Sequence, residues 1–115
     1  MMRVYNRTRD AVLVFRGRVA NTFWTRLRGL IATPPLEPGE GLLLLPSRGI
    51  HSWFMSYPID VLYLDSQGRV VDVEEHVSPW RVGRPRWRAH MVLEVPAGMV
   101  RATNTQVGDV LDVRY

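Results

Sequence analysis

His51 and Asp60 stand at either end of a stretch bent at Tyr57-Pro58, and a bend there can bring their two segments side by side. If they meet, the Asp60 carboxylate can accept a hydrogen bond from one imidazole nitrogen and leave the other as a general base or ligand contact. A nucleophile for such a pair would have to be Ser47 or Ser52, and no elbow motif singles out either one. The plainer alternative is structural: Asp60 as a buried turn or capping acceptor and His51 as a hydrogen-bonded core histidine. His51, His76 and His90, with Asp72 and Glu74, supply metal-ligand types, but no two histidines lie within five residues of each other. Asp72, Glu74 and His76 alternate as a solvated strand face would, so neither a metal nor a cofactor is expected.

Two further groups could bind rather than react. Trp53, Phe54, Met55 and Tyr57 form the richest apolar cluster, fit for a core or for the wall of a concave site whose polar groups would be His51 and Asp60. Glu94 interrupts an apolar run and is costly to bury alone, so it should face outward, pair with an arginine, or belong to that pocket. The expected pocket is therefore His51, Trp53, Met55, Pro58 and Asp60, with Glu94 secondary. The segment from Trp80 to Arg88 carries Arg81, Arg84, Arg86 and Arg88 beside Trp80 and Trp87, with no acid. Guanidinium groups can hold phosphate or carboxylate while indoles stack on rings. The same loop can equally pack its tryptophans and dissolve its arginines.

The elements that must position these residues are short. Arg3–Asn6 and Ala11–Phe15 read as a hairpin, and Asn21 or Thr22 can cap a helix reaching Ala32, with Phe23, Leu27 and Leu30 on one stripe. Gly41–Leu45 reads as a strand buried on both faces, and His51–Phe54 and Ile59–Asp65 as extended segments. Arg69–Val77 reads as a strand whose Val71, Val73 and Val77 share the buried face. Ser78–Arg88 is a loop, Ala89–Val95 a strand, Met99–Asn104 a turn of helix and Val110–Arg114 the last strand. About eight short strands and one short helix predict a mainly β fold, a compact antiparallel barrel or sandwich of jelly-roll-like kind. A helix-covered α+β sheet is the alternative.

With 115 residues, 46% hydrophobic and 23% charged, one core and one domain over 1–115 are expected. The absence of cysteine excludes disulfides and thiolate chemistry. The apolar run Ala11–Phe15 is far below spanning length, so no membrane contact is expected and the cytoplasm is the expected compartment. All fifteen basic residues are arginine, and they are segregated: residues 1–30 hold seven against Asp10, while residues 31–80 hold two against seven acids.

The run from Ile50 to Asp65, preceded by Arg28-Gly29-Leu30 and Gly41–Leu45 and followed by Leu93–Gly98 and Gly108-Asp109, resembles the domain-of-unknown-function family 192. The resemblance covers nearly the whole chain. It implies a β-rich barrel-like or jelly-roll-like domain and no known substrate, cofactor or catalytic residue. In many members of the branch with a histidine at His51, it implies a cysteine where Ser47 stands here, so thiol chemistry is not expected. The leading expectation is a non-catalytic binding or accessory domain for a small-molecule, peptide or anionic ligand. A hydrolase-like enzyme using His51 and Asp60 and a weak nucleic-acid binder using loop 80–88 are the alternatives, and specific nucleic-acid recognition is not expected.

Overall fold

The computed structural model describes residues 1–28, 34–49, 57–79 and 84–115. The strand expected at 51–54 and the end of the helix expected to reach 32 lie outside these residues. The described chain forms β1 (Met2–Asn6), β2 (Ala11–Ala20), α1 (Phe23–Arg28), β3 (Gly39–Leu44), β4 (Ile59–Leu64), β5 (Val70–Val77), β6 (Met91–Pro96), α2 (Met99–Ala102) and β7 (Leu111–Arg114). α1 starts where a hydroxyl can satisfy orphan N–H groups. The Thr22 hydroxyl accepts from Thr25 N–H at 3.1 Å, and Thr22 N–H donates back to the Thr25 hydroxyl at 3.0 Å.

One seven-stranded sheet runs in the order β5-β4-β6-β3-β2-β1-β7. Every ladder is antiparallel except β2–β3, which is parallel. The sheet curls until its two ends touch: Arg69 bridges Val110, Val70 N–H donates to Asp109 C=O at 2.9 Å, and Leu111 N–H donates to Gly68 C=O at 2.8 Å. The mainly β barrel-like class read from the sequence is the fold observed.

Two apolar clusters divide the faces of this sheet. The first draws on all seven strands, with Val4, Leu13, Leu43, Leu62, Val70, Leu93 and Leu111 among its members, and fills the inside of the curl, where Val100 of α2 joins it. The second lies on the outside of the middle strands and contains Leu42, Leu44, Ile59, Val61, Tyr63, Val77 and Val92. Its cover is set by topology. β2 and β3 are parallel, β3 and β4 are parallel because both run antiparallel to β6, and β5 and β6 are parallel because β4 opposes both. The connections 21–38, 45–58 and 78–90 must each return along the sheet, and such crossovers keep one hand. They contribute Leu36, Tyr57 and Ala89, respectively, to this second cluster. Leu36, Tyr57 and Ala89 thus cover part of this outer cluster.

The face assignment read from the sequence for β5 needs correction. The register steps from Leu64↔Val70 to Tyr63↔Asp72 and from Val61↔Glu74 to Ile59↔Val77, so the strand carries extra residues at two places. Each bulge reverses the facing of the residues beyond it. Val73 therefore packs on the inner cluster and Val71 on the outer one.

Candidate functional site

Strand alternation decides which acids can meet. On β6, Leu93 and Val95 enter the inner cluster and Val92 the outer one, so Glu94 shares the outer face with Val92. Across the sheet, Leu42 of β3, Glu94 of β6, Val61 of β4 and Glu74 of β5 stand in one row. The next row holds Leu44, Val92, Tyr63 and Asp72. Asp60 pairs with Val95 on the opposite face. The two acids placed in one pocket by the sequence reading are thus separated by the sheet itself.

Asp60 is fully buried, and both of its oxygens are engaged. Oδ1 accepts from His76 N–H at 2.9 Å, and Oδ2 accepts from Gly98 N–H at 3.0 Å and Val100 N–H at 2.9 Å. It holds the first turn of α2 and the left-handed His76, whose φ is 52°, against β4. A carboxylate with three backbone donors is a structural acceptor, as the plainer alternative has it. This geometry does not favour a His51–Asp60 catalytic pair. His51, Ser52, Trp53 and Met55 lie outside the described residues, and Pro58 is exposed just before β4.

Glu94 is the opposite case. It is 3% exposed, its row neighbours Leu42 and Val61 are apolar, and its Oε1 has no hydrogen-bond partner among the described residues. Burial pushes its carboxyl up to about 8. The pairing with arginine that the sequence allowed is not formed with any described residue.

The described part of the Arg/Trp loop divides into two roles. Arg86 is not an open anion site: its guanidinium reaches Asp72 at 2.8 Å and Glu74 at 3.1 Å, donates to the Tyr63 hydroxyl at 3.2 Å and lies 4.2 Å from the Tyr63 ring centroid. Tyr63 in turn donates to Glu74 at 2.7 Å. Burial and this bond to a carboxylate raise the phenol above its ordinary range. At Asp72, burial works upward, but the bonds from Arg86 and from Val73 N–H win and hold the carboxyl below its usual range. The network clamps connection 78–90 onto β4 and β5.

Trp87 is 78% exposed, and Arg84 and Arg88 are exposed with it, while Trp80 and Arg81 lie outside the described residues. Trp87 borders a cleft of about 420 Å³ with Pro46, Ser47, Arg48, Pro85 and His90. Arg48 lies 5.9 Å from the Trp87 ring centroid and donates to Trp87 C=O at 3.3 Å. Ser47, a candidate nucleophile by sequence, spends its hydroxyl on Gly49 C=O at 2.9 Å. Arg48 and His90 were invisible as partners of this loop because bonds between segments far apart in the chain, such as Ser47 N–H to His90 C=O and Arg86 N–H to Arg48 C=O, align them. Among the described residues no three of His, Asp and Glu gather as a cation site, and no helix is long and apolar enough to cross a membrane.

Comparison with known proteins agrees with this fold. The chain is 37% identical to a UPF0127 protein of Thermococcus sibiricus over 112 residues, spanning 93% of this chain and 71% of that protein. It is 38% identical to a UPF0127 protein of Pyrococcus horikoshii over 95 residues, spanning 80% of this chain and 82% of the relative. A crystal structure of a protein of unknown function from Novosphingobium aromaticivorans superposes with a TM-score of 0.82 at 21% identity, covering 96% of this chain and 82% of that one. The model of domain-of-unknown-function family 192, described as Uncharacterized ACR, matches residues 4–113. The chain belongs to that family, whose function is unknown.

Proposed function

We propose that the chain is a small accessory domain that binds a ligand at the outer face of its sheet, where Leu36, Tyr57 and Ala89 pack. The observation that carries this reading is the unpartnered Glu94 Oε1 at the middle of an apolar face. An orphaned buried polar atom costs about 1–3 kcal/mol. A leucine there would match Leu42 and Val61 and avoid that cost, so stability alone does not account for a glutamate. A ligand polar group would account for it. In this reading His51, Trp53, Met55 and Pro58, in the connection that leads into β4, supply the remaining wall. Asp60 serves from the far side of the sheet by holding α2.

The test is native mass spectrometry and NMR titration of the full chain against a library of small metabolites. The expected result is a bound small molecule that perturbs Leu42, Val61 and Glu94 signals and is lost in a folded Glu94→Leu variant. Ligands that perturb only residues away from this face would overturn the reading.

A further inference from the structure

We infer that the outward side of β7, β1 and β2 carries a second binding site, which takes a small-molecule carboxylate attached to an apolar body. Strand alternation builds it. Met2 and Val4 enter the inner cluster, so Arg3 and Tyr5 point outward from β1. On β7, Leu111 and Val113 pack inward, which turns Asp112 and Arg114 outward. β2 is irregular where it faces β1: its register slips twice between Met2↔Gly17 and Tyr5↔Val12, and both Leu13 and Val14 turn inward. Val12 and Phe15 are left outward, each more than half exposed. The Phe15 ring occupies the space that a Cβ at Gly39 would take, so glycine there seats it. Arg3, Tyr5, Val12, Phe15, Asp112 and Arg114 line a groove of about 500 Å³.

Charge selects the ligand's head. Arg3 stands directly opposite Arg114, and like charges so placed on a sheet repel. Asp112 is the one acid lining the groove, and it is bound to Arg114 at 3.0 Å. Arg3 has no ion-pair partner among the described residues. Two guanidinium groups against one carboxylate leave an excess of one positive charge. The borders do not reverse that sign. Beyond Phe15, Arg16 lies 5.3 Å from its ring centroid and stands opposite Glu40, and Arg18, opposite Leu42, adds a further cation. At the turn end, Asp10 accepts from the Tyr5 hydroxyl beside Arg7 and Arg9, and Arg9 is paired with Asp109.

Shape selects the body. Tyr5 pairs with Val12, and Phe15 lines the same groove, so three outward apolar side chains are contiguous where exposed hydrophobic residues are ordinarily scattered. A carboxylate at the Arg3 fork accepts two parallel N–H groups, supplies the missing unit charge between Arg3 and Arg114, and lets its body cover Val12, Phe15 and the Tyr5 ring. A cation would add to the excess charge, a neutral molecule would leave it, and a phosphate dianion would overshoot it. Glu94 lies on β6, with β3 between it and these strands, so the two sites answer to different variants.

The experiment titrates the full chain, labelled with ¹³C and ¹⁵N, with four probes that share a phenylalkyl body: 4-phenylbutyrate, 4-phenylbutanamide, 4-phenylbutylamine and 3-phenylpropyl phosphate. 4-Phenylbutyrate should give saturable shifts of the Tyr5, Val12 and Phe15 signals and of the Arg3 side-chain N–H, and should bind more tightly than the other three. Arg3→Gln should weaken it about fivefold, the scale of one exposed ion pair, while leaving the amide's affinity and the melting temperature unchanged. Val12→Ser should weaken acid and amide alike. No saturable shift at these residues, amide, amine or phosphate binding as tightly as the carboxylate, or full affinity in Arg3→Gln would overturn the inference. Concentration-dependent shifts of Tyr5, Val12 and Phe15 without any probe would give this face to a second copy of the chain, and would overturn it too.

Discussion

Asp60 and Glu94 are both buried carboxyls, yet one accepts three backbone N–H groups while the other keeps an oxygen with none. They should fail differently. Asp60→Asn replaces one acceptor oxygen with an N–H₂ group that faces backbone donors on either choice of rotamer. It should cost about 2–4 kcal/mol, read from the shift in urea midpoint. A variant as stable as the parent would restore Asp60 as a functional candidate. Glu94 should instead lower stability as pH rises. Its carboxyl ionises near the ordinary value when unfolded and near 8 when folded. Between those values the native state binds more protons than the unfolded state, so raising pH draws the equilibrium toward unfolding. Chemical denaturation should therefore show stability falling by up to about 1.4 kcal/mol per pH unit from about pH 5 to pH 8. Glu94→Gln should flatten that profile; an unchanged slope would place its cause in another group.

Most strands were legible as elements because their apolar runs are bounded by turns. The Gly41–Leu45 run became Gly39–Leu44, and the Ile59–Asp65 run became Ile59–Leu64. β2 was read only to Phe15 because Arg16 and Arg18 break the apolar run, yet it continues to Ala20 with those arginines exposed and Gly17 buried. A Cβ at Gly17 would sit 2.9 Å from Met2 O, so close approach to β1 explains that residue. What the sequence could not disclose is pairing between distant segments. The parallel β2–β3 ladder, the bulges of β5 and the closing of β5 on β7 all depend on partners far along the chain. For that reason Asp60 and Glu94 could be named as candidates while their separation by the sheet could not be seen. The closing seam is itself testable. Gly68 has φ +82°, and a Cβ there would lie 2.3 Å from Leu111 O. Gly68→Ala should cost about 2 kcal/mol or more from backbone strain and from the lost approach of β7. Amide exchange should quicken at Leu111 and Val70, the seam donors, more than at Leu43 in the middle of the sheet.

At the scale of the whole molecule, the two ends of the chain are one structural unit. β1 lies between β2 and β7, with Arg3 opposite Arg114 and Asn6 opposite Leu111. Asn6 Nδ2 donates to the Thr105 hydroxyl and to Asp109, each at 3.0 Å, and its Oδ1 accepts from Thr8 N–H and Arg9 N–H. Arg9 pairs with Asp109 at 3.0 Å, and Val110 N–H donates to the Thr8 hydroxyl at 2.9 Å. The first turn is therefore built on the last, and Leu111, 2% exposed, completes the inner cluster that all seven strands share. A sheet closed this way has no half that keeps its own core, so unfolding should be a single transition, with tryptophan fluorescence and far-ultraviolet circular dichroism giving the same midpoint. It also makes the last strand indispensable. Deleting residues 110–115 strips β1 of a partner, removes the bridge to Arg69 and exposes Val4, Val70 and Val100. The truncated chain should lack the dispersed amide spectrum of the parent and show no cooperative melt. A cooperative melt at the parent's midpoint would mean that the curl is held by its middle strands, with the terminal seam contributing little.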